Sequence, residues 1–398
     1  MVCLQDVQIL WLKAKLQRSY GLYCVSKHQV NIAIKPIFNG VGDLKTVFGV
    51  VEKEDVNPST PVKRTKTLSK VIGITIASVL LCVAIACSSP REPGPSELLV
   101  KFDVAQGQLP EGLAVSSDAL YVSMAPTSQL FRVTLDGKAD LISQLPQYPA
   151  GQGFTTGVAL DQQENIYVAL ASFAPEVQTG IYLVPPSGGE AKLFASSDEM
   201  ILPNGLAFDE YGNLFVTDSF ANTVFKIGSN GTVNRWVEDD LLKGDGNFCP
   251  PNELELDVGA NGLAFDGAGN LFVLNTDKAT IVRIPVNKQG TAGVPEIFVG
   301  PDCENLEGGD GIAIDKEGNL YVGANRINKL VKISEKGEIT VLETGGLLDF
   351  PANVAFGSGD ESSTLYIANF ALISSQQGGG SGPNLVAKDV GIKGRSLP

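Results

Sequence analysis

The sequence predicts an all-β fold, a six-bladed β-propeller of four-stranded antiparallel blades preceded by an apolar signal or anchor segment, and three observations predict it. A motif of the form x-Gly-aliphatic-Ala returns as EGLA at 111–114, TGVA at 156–159, NGLA at 204–207, NGLA at 261–264 and DGIA at 310–313, with ANVA at 352–355 as a degenerate sixth. The copies lie 45, 48, 57, 49 and 42 residues apart, a spacing at which each repeat is one small sheet that buries its faces only against neighbours. Each copy is written in short apolar runs divided by Gly, Asn and Asp, which is the chemistry of strands and turns.

The chain divides accordingly. Residues 1–61 show neither sustained strand alternation nor a capped amphipathic helix; the expectation is that translation begins near Val62, the alternative being a small cytoplasmic segment. Residues 62–87 read as a basic start (Lys63, Arg64, Lys66, Lys70), an apolar run from Val71 to Ala86, and Cys87. That run is short for a span of about 30 Å of hydrocarbon but suits an export signal. Ala84-Ile85-Ala86-Cys87 resembles a bacterial lipobox, with Cys87 lipidated and residues 88–97 a polar, Pro-rich tether; an uncleaved signal anchor is the alternative. Either reading places the remainder outside the cytoplasm, in the cell envelope and attached to the membrane.

The propeller is expected over 98–395. In the third copy, GLAF is small and apolar, as a strand crowded around an axis must be, and DEYGN at 209–213 is a hairpin whose Gly can take the left-handed conformation. LFVTD, TVFKI and TVNRWV supply the second to fourth strands. The sixth copy runs out of chain after NLVAKDV at 384–390, while LLVKFDV at 98–104 precedes the first copy as a strand without a blade. The expectation is that it completes blade 6, so that both ends of the domain share one sheet.

The residue before each motif glycine enters the innermost strand from the loop side. Glu111, Thr156, Asn204, Asn261, Asp310 and Ala352 should therefore ring one mouth of the central channel. Four of them are carboxylates or carboxamides, and two carboxylates balance the charge of one divalent cation. A donor set with no nitrogen or sulfur suits Ca2+, or less well Mg2+, rather than zinc. Asn-Gly and Asp-Gly are also ordinary turn formers, so a turn reading stands beside the ligand reading. Asp218 and Asp277, at the ends of second strands, are expected to cap loops.

Charge and composition exclude other chemistries. Residues 1–87 hold 11 Lys and Arg against 5 Asp and Glu, leaving residues 88–398 at −20, the wrong sign for a nucleic-acid partner. The one histidine, His28, lies outside the repeats, which removes His-based zinc sites and Ser-His-Asp triads from them.

The stretches PEGLA, PNGLAFDEYGNLFVTDS, ANGLAFD and GDGIAIDKEGNLYV resemble the senescence-marker-protein/gluconolactonase family of six-bladed propellers, also called regucalcin-like, over about residues 98–395. The resemblance implies a divalent metal, commonly calcium, held by Glu111, Asn204, Asn261 and Asp310. It also implies hydrolysis of a small-molecule lactone or related ester, with the metal polarising the carbonyl, an activated water attacking it, and Asp310 as the catalytic proton-transfer group. Gluconolactonase-type members carry an arginine where this chain has Leu202, which turns the expectation from sugar lactones towards a more apolar lactone or ester.

Cys249 and Cys303 lie in long loops before blades 4 and 5, and export would permit them to pair as a disulfide; two separate thiols are the alternative. Cys3, Cys24 and Cys82 would not belong to a lipobox-processed protein. The loop around Cys249 is the longest insertion and is expected to lid the channel. A non-catalytic propeller of the NHL type, binding protein or glycan, is the competing function, and a lyase a more distant one. Substrate identity and oligomeric state are not written in these residues.

Overall fold

The computed structural model describes residues 94–249 and 256–395. The readings of 1–61, of the signal segment 62–87 with Cys87, and of most of the tether lie outside those residues. Six four-stranded antiparallel sheets are arranged as blades. Blades 1 to 5 run in chain order through Pro110–Gln144, Gly153–Ala195, Pro203–Glu238, Ala260–Val299 and Gly309–Thr344. Blade 6 consists of Pro351–Phe356, Thr364–Asn369 and Asn384–Asp389, with Glu97–Lys101 as its outermost strand.

The ring therefore closes as the strand count predicts: Glu97 pairs with Ala387 and Lys101 with Asn384. Contacts begin a little before the expected start at residue 98. Gly94 N donates to Asp389 O, and Lys388, a buried lysine, donates from Nζ to Gly94 O at 2.8 Å and to Glu343 Oε2 at 2.8 Å. A buried ammonium without partners would be costly, so these bonds tie the seam between blades 5 and 6 to the backbone at Gly94.

Packing between blades explains the aromatic-Val second strands. Phe215 of blade 3 meets Trp236 of its own sheet and Phe265 of blade 4, both edge-on at 5.0 Å. Tyr167 meets Phe208, and Tyr321 meets Phe356, each at 5.1 Å across a blade boundary. Edge-on pairs of this kind contribute about 0.5–1.5 kcal/mol beyond burial. The hairpins between first and second strands repeat one device: Asp161, Asp209, Asp266 and Asp315 each accept from the side chain of an Asn four residues on. One element departs from expectation. Part of the last long loop, Leu372–Gln377, forms a short helix, beside which Asp349 Oδ2 accepts from Ser374 Oγ at 2.7 Å and Gly382 N at 2.8 Å.

Candidate metal centre and active site

The motif glycines are not turn residues. In blade 3, Pro203 pairs with Asp218 but Leu206 with Val216, so the first strand carries an extra residue at Asn204-Gly205. The same irregularity falls at the motif in the other five blades. Such bulges re-aim a side chain, and here they turn the residue before each glycine out of the sheet's alternation. None of Gly112, Gly157, Gly205, Gly262 and Gly311 has a positive φ. A Cβ on Gly112, Gly157, Gly205 or Gly262 would instead collide with the carbonyl oxygen of Thr156, Asn204, Asn261 or Asp310, and one on Gly311 with the backbone at Ala352 and Asn353. Each blade's glycine is the socket for the next blade's ring residue, which is why the motif recurs as a pair.

Hydroxyls lock the same joint. Ser123 Oγ donates to Thr156 O and Thr217 Oγ1 to Asn261 O, both at 2.5 Å, while accepting from the N–H of Gly112 and Gly205 in their own blades.

Fifteen residues after three of the ring positions stands a polar partner. Asn204 Nδ2 donates to Ser219 Oγ at 3.1 Å and Asn261 Nδ2 to Thr276 Oγ1 at 3.0 Å; Asn325 Nδ2 donates to Asp310 Oδ2 at 2.8 Å. Ser219 and Thr276 are themselves anchored on Ala260 O and Gly309 O, each at 2.8 Å. Tying an amide by its nitrogen fixes which way its oxygen can be offered. Sequence reasoning missed Ser219, Thr276 and Asn325; the signal was a polar residue at a constant offset just past each second strand.

Glu111, Asn204, Asn261 and Asp310 are all buried. Thr156 and Ala352 are buried too, but Thr156 gives its hydroxyl to Pro203 O at 2.8 Å and Ala352 packs with Phe350 and Phe370. Burial pushes the Asp310 carboxyl up to about 7, although hydrogen bonds from Asn325 and Asn261 and the charge of Arg326 pull it back. Burial also raises Glu111 well above the carboxylate range, and the nearby Asp310 charge raises it further. Two acids in mutual electrostatic reach, both out of water, resist ionising together unless a positive charge joins them.

The ring passes a test for that charge. Glu111 Oε2 is buried and has no hydrogen-bond partner, which is costly for an acid oxygen unless something else satisfies it. Carboxylate and amide oxygens together are a donor set for a hard divalent cation. Among the described residues no cluster of three or more His, Cys, Asp and Glu side chains could hold a metal ion, so a cation at this ring would need the amide oxygens as well.

Asn204, Asn261 and Asp310 also line one end of a channel cavity of about 510 Å³, whose walls are the innermost strands. It continues past Leu206, Leu263 and Ile312 towards Tyr211, Lys288 and Arg395 at the opposite hairpins. Asn353, the blade 6 residue in the glycine's place, joins its lining and was not singled out from the sequence.

The remaining site residues divide between blade architecture and the mouth. Asp218 caps a loop, accepting from the N–H groups of Ile201, Leu202, Phe220 and Ala221. Asp277 accepts from Val258 N and holds Arg326, whose Nη2 lies 2.7 Å from Asp277 Oδ1. Sequence alone suggests that Asp218 and Asp277 are equivalent; pairing shows that Asp218 corresponds to Asn275 and Ala324, and Asp277 to Phe220 and Arg326. Leu202 is buried. Cys249 and Cys303 are joined as a disulfide with a Cα–Cα separation of 5.6 Å, linking the loops that lead into blades 4 and 5.

Fold and site together describe a six-bladed propeller with buried acids and amides on its innermost strands. Residues 252–370 match the SMP-30/Gluconolactonase/LRE-like region, in agreement with the family resemblance drawn from the sequence. Among solved structures, the chain is similar to regucalcin, a calcium-binding protein from Agrobacterium tumefaciens, with 16% identity, 77% of this chain and 97% of that one covered, and a TM-score of 0.57. A luciferin-regenerating enzyme aligns at 16% identity over 77% and 98%, with a TM-score of 0.56. A gluconolactonase from Xanthomonas campestris aligns at 18% over 77% and 99%, with a TM-score of 0.51. These likenesses show the shared fold. Comparison with curated protein sequences gives no match.

Proposed function

We propose that this protein is a calcium-dependent hydrolase of lactones or related esters, exported and tethered to the membrane through Cys87. The observation that carries the catalytic reading is the pair of buried acids, Glu111 in blade 1 with its unpartnered Oε2 and Asp310 in blade 5, together with the two oriented amides of blades 3 and 4. Glu111, Asn204, Asn261 and Asp310 would hold the cation. When bound, it would supply Lewis-acid polarisation of the substrate carbonyl and lower the pKa of attacking water.

The chain's own residues supply the rest. Asp310, reached by Asn325 at Oδ2 and also by Asn261, is the carboxylate that would take a proton from the attacking water and return it to the leaving alkoxide. Its upward shift in pKa makes it a better base than an exposed aspartate once it is ionised. Asn204 and Asn261, held from behind by Ser219 and Thr276, would keep their oxygens still through turnover. The regucalcin and gluconolactonase likenesses support calcium and a lactone, respectively, in that reading.

The test is hydrolysis of a lactone panel by the purified protein with calcium and with chelator. Turnover that survives chelation and Asp310→Ala would remove the mechanism. The tether is tested separately: metabolic lipid labelling of the full chain should disappear in Cys87→Ser.

A further inference from the structure

The loop end of the channel is chemically divided. On the side of blades 2 and 3, Phe154, Phe173 and Phe220 form a continuous aromatic wall. Phe154 meets Phe173 edge-on at 6.4 Å, and Phe173 stacks on Phe220 at 6.4 Å with 15° between the ring planes. The wall starts at the ring itself: Phe220 follows Ser219, which holds Asn204, and Phe154 lies two residues before Thr156. At one end Phe154 packs against the cluster of Ala125, Phe350, Ala352 and Phe370, but the other end is open. Phe173 is 47% exposed, and Ile201, next to Leu202, is 45% exposed. Exposed apolar surface at the entrance to a polar site favours a ligand that covers it with apolar surface of its own.

The side of blades 4 and 5 is acidic. Asp277, Glu307 and Asp310 are all buried there, and the guanidinium among them, Arg326, is already bonded to Asp277. Arg326 is thus committed to Asp277 rather than to a carboxylate of the substrate, while the other side offers aromatic rings. Leu202, next to the exposed Ile201, is a buried apolar side chain and adds no charge to the mouth.

We propose that the substrate is an uncharged lactone or ester with an aromatic or long acyl arm that lies on Phe173 and Phe220 while its carbonyl reaches Asp310. The proposal rests on the hydrolase reading above. Its test is a series of γ-lactones bearing hydrogen, butyl, octyl or phenyl at the ring carbon, with gluconolactone as the polar member. In the native protein kcat/KM should rise at least about tenfold from the unsubstituted to the octyl or phenyl lactone. Phe173→Ser and Phe220→Ser should each collapse that ratio, whereas Leu141→Ser, on an exposed outer strand, should leave it unchanged. A flat series, a preference for gluconolactone, or equal losses on short and long members would overturn the proposal.

Binding separates this outcome from failure of the hydrolase reading. If no lactone is turned over, that reading falls, and the wall is still tested by equilibrium binding of the phenyl lactone. Affinity about tenfold weaker in Phe173→Ser upholds the wall as the arm's seat; equal affinity refutes it.

Discussion

Blades 3, 4 and 5 and blades 2 and 6 use the same backbone and end in different chemistry. All six carry the bulge that turns one residue out at the axis. In blades 3 to 5 that residue is Asn204, Asn261 or Asp310, and a partner fifteen residues on holds it by hydrogen bond. In blades 2 and 6 it is Thr156, whose hydroxyl is spent on Pro203 O, or Ala352, packed among phenylalanines. The repeat thus fixes where a side chain sits, while its identity and its partner decide whether it is available to a ligand.

The sharpest way to break this contrast is Asp310→Ala, which should lower kcat for lactone hydrolysis by about 100-fold or more. Ala352→Ser in the structural blade should leave kcat within a few-fold; steady-state kinetics on both variants decides it. Glu111→Gln comes next. Losing a charged donor should weaken calcium binding by about tenfold or more in titration calorimetry, with no comparable effect from Thr156→Val. Thr276→Val removes the hydroxyl that links Asn261 to Gly309 O but none of the four proposed ligands, and should weaken calcium binding by about tenfold while leaving the cation stoichiometry unchanged.

The last expected effect is on stability against pH. With Asp310 raised to about 7 from the ordinary 3.8, the cation-free folded state retains a proton that the unfolded chain releases. Stability of the cation-free protein should therefore fall as pH rises between about 4 and 7. Asp310→Asn should flatten that part of the profile, read as Tm against pH. Calcium should reverse the trend, raising Tm more at pH 8 than at pH 5, because protonated carboxyls are poor ligands. Equal calcium shifts at both pH values would separate the acids from the cation.

The blade count, the strand that closes blade 6 and the six axial positions were legible in the sequence because each depends on a local pattern repeated at a fixed offset. The reason for the motif glycine was not. Asn-Gly reads as a turn when only its own blade is considered, and its cause is a carbonyl oxygen about fifty residues further along the chain. Ser219, Thr276 and Asn325 escaped for a related reason. Asp218 stands beside Ser219 and Asp277 beside Thr276, and only strand pairing shows that the two aspartates occupy different places and that Asn325 is equivalent to Ser219 and Thr276. The aromatic wall is less legible still, since Phe154, Phe173 and Phe220 belong to two blades and to no repeated offset.

The strand Glu97–Lys101 has a mechanical consequence. Whatever pulls on the polypeptide upstream of residue 94 delivers its load first to the clasp made by this strand and Lys388, at the seam where the circle is completed. Tension entering there would act on the ring's own fastening before it reached the axial acids Glu111 and Asp310.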